Sequence, residues 1–215
     1  MTQQLEATAR TPLNRERVLQ AAVSLADAAG FESLSMRRLA EELGVVPMAI
    51  YKHVANKDEL LDGMVASLIG EIDPPAPDRH WKGAVRLRVL SARQALQRHP
   101  WARQAIESRT KKTPAVLDYM DSFTGMFLAG GFSNQLTHDA THLISSRVLG
   151  FTQDIFDPNE IRPEGARLWT EALGSGAYPR LAASLDGVAH DDEREFVFGL
   201  DLILDGLERA RDARP

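Results

Sequence analysis

Apolar residues recur at helical spacing along nearly the whole chain, and the breaks between stripes fall at residues that end helices. Val18, Leu19, Ala22, Val23 and Ala26 form one stripe behind Arg15-Glu16-Arg17, with Asn14 placed to cap the helix and Gly30 to stop it. The next predicted helix is short. Ser35 caps it, Met36, Leu39, Ala40 and Leu43 share one face, and Gly44 ends it. Only Val45 and Val46 precede Pro47, which suits the first turn of a third helix running to His53. Ile50 and Val54 are spaced to bury against the first two helices. Asn56 then caps a fourth helix, with Glu59 completing a capping-box pattern. That helix should reach residue 72, where Asp73-Pro74-Pro75-Ala76-Pro77 forbids continuation.

Further helices are predicted at 81–98, 100–108, 114–129, 133–156, 164–173 and 192–210. Breaks fall at His99-Pro100, Thr113-Pro114, Gly130-Gly131, Asp157-Pro158 and between Gly174 and Pro179. Strand-like alternation is absent and no internal repeat is visible, so the expected fold class is all-α. In the last helix Phe196, Leu200, Ile203 and Leu207 make one stripe, widened by Val197 and Leu204. A face this broad is either deep core or half of a subunit interface.

Composition narrows the function classes. Hydrophobic residues make up 44% of 215, enough for an ordinary core. No apolar run approaches the roughly 18 residues a membrane span needs, and the first thirty residues lack a signal-like apolar core. With no cysteine there is neither a disulfide framework nor a thiolate metal site. These features predict a cytoplasmic protein without a cofactor. Net charge is −5, which by itself does not suggest a nucleic-acid partner. Placement matters more, because screening confines each charge to about 10 Å. From Ser35 to Lys57 the bases Arg37, Arg38, Lys52 and Lys57 face only Glu41 and Glu42.

Two short helices joined by a glycine turn and packed on a preceding helix describe a helix-turn-helix, whose second helix enters the DNA major groove. That second helix must be slim, because the groove is about 12 Å wide. With Ile50 inward, Pro47, Met48, Ala49, Tyr51, Lys52 and His53 are left for the groove or its walls. Ala49 and Met48 are suited to thymine methyls, and Lys52 to a guanine edge or a phosphate. Tyr51, His53, Lys57 and the N-terminus of the fourth helix can donate to phosphates. Ser35, Arg37 and Arg38 place hydroxyl and charge at the start of the second helix, again near the DNA backbone.

The residues from 12 to 64 resemble the TetR (tetracycline-repressor) family of transcriptional regulators. The resemblance lies in Arg17-Val18-Leu19-Gln20-Ala21-Ala22, Gly30-Phe31 and Leu34-Ser35-Met36-Arg37-Arg38-Leu39-Ala40. It continues in Leu43-Gly44-Val45, Tyr51-Lys52-His53-Val54 and Asn56-Lys57-Asp58-Glu59-Leu60-Leu61-Asp62. It implies a flexible arm at 1–12, a helix-turn-helix DNA-binding domain at 13–60, and a larger helical ligand-binding and dimerisation domain at 61–215. Residues 57–72 would be the connecting helix. It further implies a homodimer reading a palindromic double-stranded DNA operator and responding to a small-molecule inducer. One departure is Val46, where family members often carry a serine that caps the recognition helix and contacts phosphate.

Beyond residue 80 the chain is similar to the tetracycline-repressor branch, in Gln97-Arg98-His99-Pro100-Trp101, Gly131-Phe132-Ser133, Leu149-Gly150-Phe151 and Phe198-Gly199-Leu200-Asp201 with Asp205-Gly206-Leu207-Glu208. The likeness moves Phe196, Leu200, Ile203 and Leu207 toward the interface reading. It places Ile106, Asp73 and Arg88 where that branch binds its metal and drug, so a magnesium–tetracycline chelate is not expected. The same register lines a pocket with Arg88, Ala92, Ile106, Met120, Phe123, Thr124, Thr141 and Ser145, with Trp101 nearby. Such a lining suits a hydrophobic or aromatic molecule, whose anionic group Arg88 would pair. His138 and His142 share a helical face, but a metal would need a third ligand from Asp139 or Asp154. No nucleophile elbow, phosphate loop or paired carboxylates point to an enzyme. The alternative to a ligand-released repressor is a ligand-independent regulator or adaptor acting through protein partners.

Overall fold

A computed structural model describes residues 12–76, 78–109, 111–150, 163–187, 189 and 191–213. Among the described residues there are eleven α-helices, one 3-10 turn and no strand. The helices are α1 Arg15–Ala29, α2 Met36–Leu43, α3 Pro47–Ile50, α4 Lys57–Gly70, α5 Trp81–Arg98 and α6 Ala102–Glu107. They continue with α7 Pro114–Ala129, α8 Asn134–Gly150, α9 Pro163–Gly174, α10 Pro179–Leu185 and α11 Asp192–Asp212. The chain forms two compact units. One comprises Met1–Pro75 with Leu90–Ser122, the other Ala76–Val89 with Phe123–Pro215.

The first unit is built by caps and one apolar core. The Asn14 side chain accepts the Arg17 N–H at 2.8 Å, and Ser35 Oγ accepts that of Arg38 at 3.2 Å. Each satisfies a donor that a helix start leaves open. At the end of α2, Gly44 takes a left-handed φ of 64°, and its N–H bonds to Glu41 while that of Val45 reaches back to Ala40. This Schellman turn sends the chain straight into α3. Asn56 accepts from Glu59 N–H, but the Glu59 carboxylate returns to the Ala55 N–H at 2.7 Å, one residue earlier than a capping box would place it. Val18, Leu39, Ile50 and Leu60 are completely buried in the resulting core. Gly63 lies so close to α1 that a Cβ there would come within 2.5 Å of Leu19 Cδ2.

In the second unit α11 packs on α8, with Phe196, Leu200 and Leu204 of the one and Ala140 and Ile144 of the other all buried. Phe132 meets both Trp81 and Phe127 edge-to-face, with the Arg211 guanidinium 5.5 Å from the Trp81 ring and its Nη1 donating to the Gly130 carbonyl. A ladder of ion pairs joins α5 to α11. Lys82 Nζ meets Asp205 at 2.6 Å and Glu208 at 2.7 Å, and Arg86 Nε meets Asp201 at 2.7 Å.

Three elements differ from the sequence expectation. The α-helical part of α3 ends at Ile50, and Tyr51-Lys52-His53 continue as a turn in which the His53 and Val54 N–H groups both reach the Ile50 carbonyl. α10 has no counterpart among the expected helices. Pro179 reads as a break, yet a proline in the first turn starts a helix as readily as it ends one. α6 is shorter at its start than expected, because Trp101 serves as its N-cap residue. The part of the expected 133–156 helix beyond Gly150 lies outside the described residues.

Candidate nucleic-acid interface

The sharp Gly44 turn and the buried Ile50 side chain hold α3 against α2, and Val54 locks the chain on its way to α4. The opposite side of this segment is open. Met48 is 70% exposed, Val46 68% and Tyr51 43%; Pro47 and Lys52 are also exposed. Ala49 and His53 are less open than these, so they border this face more than they form it. Val46 offers no side-chain cap to α3, as its aliphatic nature dictates.

Exposed basic groups stand on the neighbouring helices. Arg37 and Arg38 are exposed at the start of α2, where the Ser35 oxygen caps the helix and its O–H stays available for another acceptor. Arg37 Nε pairs with Glu41 at 3.0 Å, a solvent-exposed contact that rearranges at little cost. Lys57, at the first position of α4, holds its Nζ 5.7 Å from the Phe31 ring centroid. The surface therefore combines an apolar tip, a phenol, an ammonium and a cationic rim, which is what a groove of base edges walled by phosphates requires.

The expected pocket residues occupy different environments. In the first unit Ala92 and Trp101 are buried, while Ile106 is half-buried and Met120 exposed. In the second, Arg88 and Phe123 are buried, Thr124 and Thr141 half-buried, and Ser145 exposed. The Thr141 hydroxyl donates to the His138 carbonyl. Trp101 helps to hold the first unit together, since its indole N–H donates to Asp27 Oδ1 at 2.7 Å. The side chains at the branch's metal and drug positions, Ile106, Asp73 and Arg88, supply no imidazole, so they do not fit a histidine-bound metal. The His138 and His142 rings are 4.4 Å apart and exposed, but among the described residues no three His, Asp or Glu side chains converge on a metal position.

The stripe expected at the dimer interface is largely covered within the chain itself. Phe196, Leu200 and Leu207 are buried inside the protomer and Ile203 is half-buried. Most of their face of α11 is thus covered by their own chain, with Ile203 left partly open. The exposed apolar residues of α11 are instead Phe198, at 64%, and Leu202, at 53%, one turn apart.

Sequence reasoning missed one polar cluster altogether. The His99 ring, itself buried, has Nδ1 2.8 Å from Asp27 of α1 and Nε2 3.0 Å from Glu71 at the end of α4. Arg98 also binds Glu71, at 2.8 Å. Burial pushes the Glu71 carboxyl up, but the Arg98 hydrogen bond and the charge of His99 outweigh it and hold the carboxyl below its ordinary value. At the other end of α4, Arg109 pairs with Asp58 and Asp62 at 2.7 and 2.8 Å. α4 is thus tied at both ends to residues flanking α6. No local signal was available, because Asp27, Glu71 and His99 come from separate stretches of the chain.

A short helix held on a capped partner, with an exposed mixed face and a cationic rim, defines a helix-turn-helix DNA-binding regulator. Residues 18–64 match the family described as "Bacterial regulatory proteins, tetR family", and residues 74–211 match "Tetracyclin repressor-like, C-terminal domain". The chain belongs to the TetR family. It is 34% identical over 209 residues to the HTH-type transcriptional repressor DrrR1 of Streptomyces coeruleorubidus, covering 91% of this chain and 77% of that one. The structure of SCO7222, a TetR from Streptomyces coelicolor, is similar with a TM-score of 0.74 and 28% identity, over 94% of this chain and 100% of that one. ActR of the same organism, in complex with actinorhodin, is similar with a TM-score of 0.71 and 26% identity, over 94% and 99% of the two chains. Among the described residues no helix is long and apolar enough to cross a membrane.

Proposed function

We propose that this regulator is a repressor that binds a palindromic operator as a homodimer and is released by a small hydrophobic or aromatic molecule. The observation that carries the reading is the recognition segment: Tyr51 and Lys52 stand exposed beside buried Ile50, on a backbone held by the Gly44 turn. Residues 13–60 form the reading head in this proposal, and 57–72 connect it to the sensor at 61–215. Two heads must meet half-sites about one helical turn of DNA, or a multiple of it, apart. Their partner surface is a second copy of this chain, seated on Phe198 and Leu202.

Release follows from α4, which is tied through Glu71 and through Asp58 and Asp62 to residues around α6. A ligand that displaces those ties shifts the head, and its leverage equals its differential affinity for the two arrangements. DrrR1, a repressor, and ActR, which is seen with actinorhodin, support repression and small-molecule control respectively.

The test is footprinting on DNA upstream of the protein's own gene. Wild type should protect a short palindrome; Lys52→Ala and Tyr51→Ala should weaken protection while the circular dichroism spectrum stays unchanged. Footprints identical to wild type in both variants would remove the assignment of the recognition segment.

A further inference from the structure

Resting on the DNA-binding reading above, we infer that Val46 and Met48 form an apolar tip that recognises the 5-methyl group of thymine in each operator half-site. Among the described residues these are the two most exposed of the large apolar side chains, at 68% and 70%. They sit within one turn, closed by the Ala49 N–H on the Val46 carbonyl at 2.9 Å. In the sequence Val46 stands for the loss of a capping hydroxyl. In the structure it is also a branched aliphatic group added to the leading edge of the recognition segment.

The chemistry of this edge is one-sided. From Val45 to Ile50 every side chain is apolar, and Pro47 lacks even a backbone N–H. The first side chain able to hydrogen-bond a base is Tyr51, a full turn later. Side chains without strong hydrogen-bonding groups do not read guanine, cytosine or adenine by their polar edges. Thymine alone of the four bases carries a methyl group in the major groove. Presentation is rigid where it must be: the Gly44 turn, the fixed φ of Pro47 and the buried Ile50 set the backbone, and β-branching restricts Val46. Met48 is adaptable and can close on the methyl group from beside it. The patch is two side chains wide; Lys52 on the same segment and Arg37 and Arg38 on α2, the helix packed against it, are exposed cations. That suits a base step between phosphates better than a protein surface.

The test uses the full chain and a duplex selected from a randomised pool, with each thymine of the half-site replaced in turn by deoxyuridine. This removes one methyl group and leaves every hydrogen-bonding atom in place. At the contacted thymine, affinity should fall about fourfold per methyl lost. In the double variant Val46→Ala with Met48→Ala, thymine and uracil duplexes should bind equally. Both positions are exposed, so the variant keeps its core. If wild type binds the selected duplex and no replacement changes its affinity, the inference is overturned while the regulator reading stands. A difference between thymine and uracil that persists in the double variant overturns it too. Failure to enrich any duplex would overturn both readings together.

Discussion

Ile50 is completely buried while Met48 and Lys52, two positions to either side, stand in solvent. Stability and recognition therefore separate residue by residue within one short segment. Truncating Ile50 to Ala should remove about 2–5 kcal/mol from the first unit, read as a lower urea midpoint, with DNA affinity falling as a consequence. Lys52→Ala should leave that midpoint in place and instead lower the slope of log affinity against log salt by about one per head, as loss of one phosphate contact does. Restoring a hydroxyl with Val46→Ser should recover up to about 1 kcal/mol of capping energy for α3. An unchanged melting temperature in that variant would show that Pro47 already supplies what the cap would add.

The elements of the head were legible because their ends are written in local chemistry. Asn14, Ser35 and Asn56 cap as expected, and Gly44 stops α2 in the left-handed conformation its position requires. Gly44→Ala should cost about 1 kcal/mol or more by placing a Cβ in that conformation, and the measurement is chemical denaturation of the variant. The ties on α4 were not legible. Asp27, Glu71 and His99 come from three separate stretches of the chain, and no local pattern announces that they meet. His99→Ala should leave Asp27 and Glu71 without their shared donor and cost about 1–3 kcal/mol. If the ties also carry the ligand signal, the same variant should bind operator with reduced response to inducer. A variant with wild-type stability and wild-type response would show the cluster to be idle.

At the scale of the molecule, acid should weaken both units by the same route. Hydrogen bonding from Lys82 holds the Asp205 carboxyl below its ordinary value, and Glu71 is held low against its burial by Arg98 and His99. A carboxyl lowered in the folded state supplies stability that is complete above its unfolded value and is lost as pH falls through its folded value. Urea midpoints should therefore hold near neutrality and decline once pH enters the carboxylate range. Both groups are substantially solvated, so the decline should be gradual. Assembly is tested separately: Phe198→Glu with Leu202→Glu should yield monomer by sedimentation without unfolding, whereas an Ile203 change should not. A thermal-shift screen with aromatic and apolar compounds distinguishes a ligand-released repressor from a ligand-independent regulator, since only the former gains stability from a hit.

Local sequence determined what depends on neighbours in the chain. Helix ends follow caps, prolines and glycines within a few residues, and the helix-turn-helix follows from three such helices at short spacing. The exposed recognition face follows as well, because Ile50 had to turn inward. Tertiary structure alone decided the rest. That Phe196, Leu200 and Leu207 are covered within their own chain depended on α8 packing on α11, since periodicity marks an apolar face without naming what covers it. The His99 cluster arose only once residues more than seventy positions apart were folded together. Val46 changed meaning for the same reason. In sequence it is a missing hydroxyl; on the folded head it is a largely exposed aliphatic group within one turn of Met48.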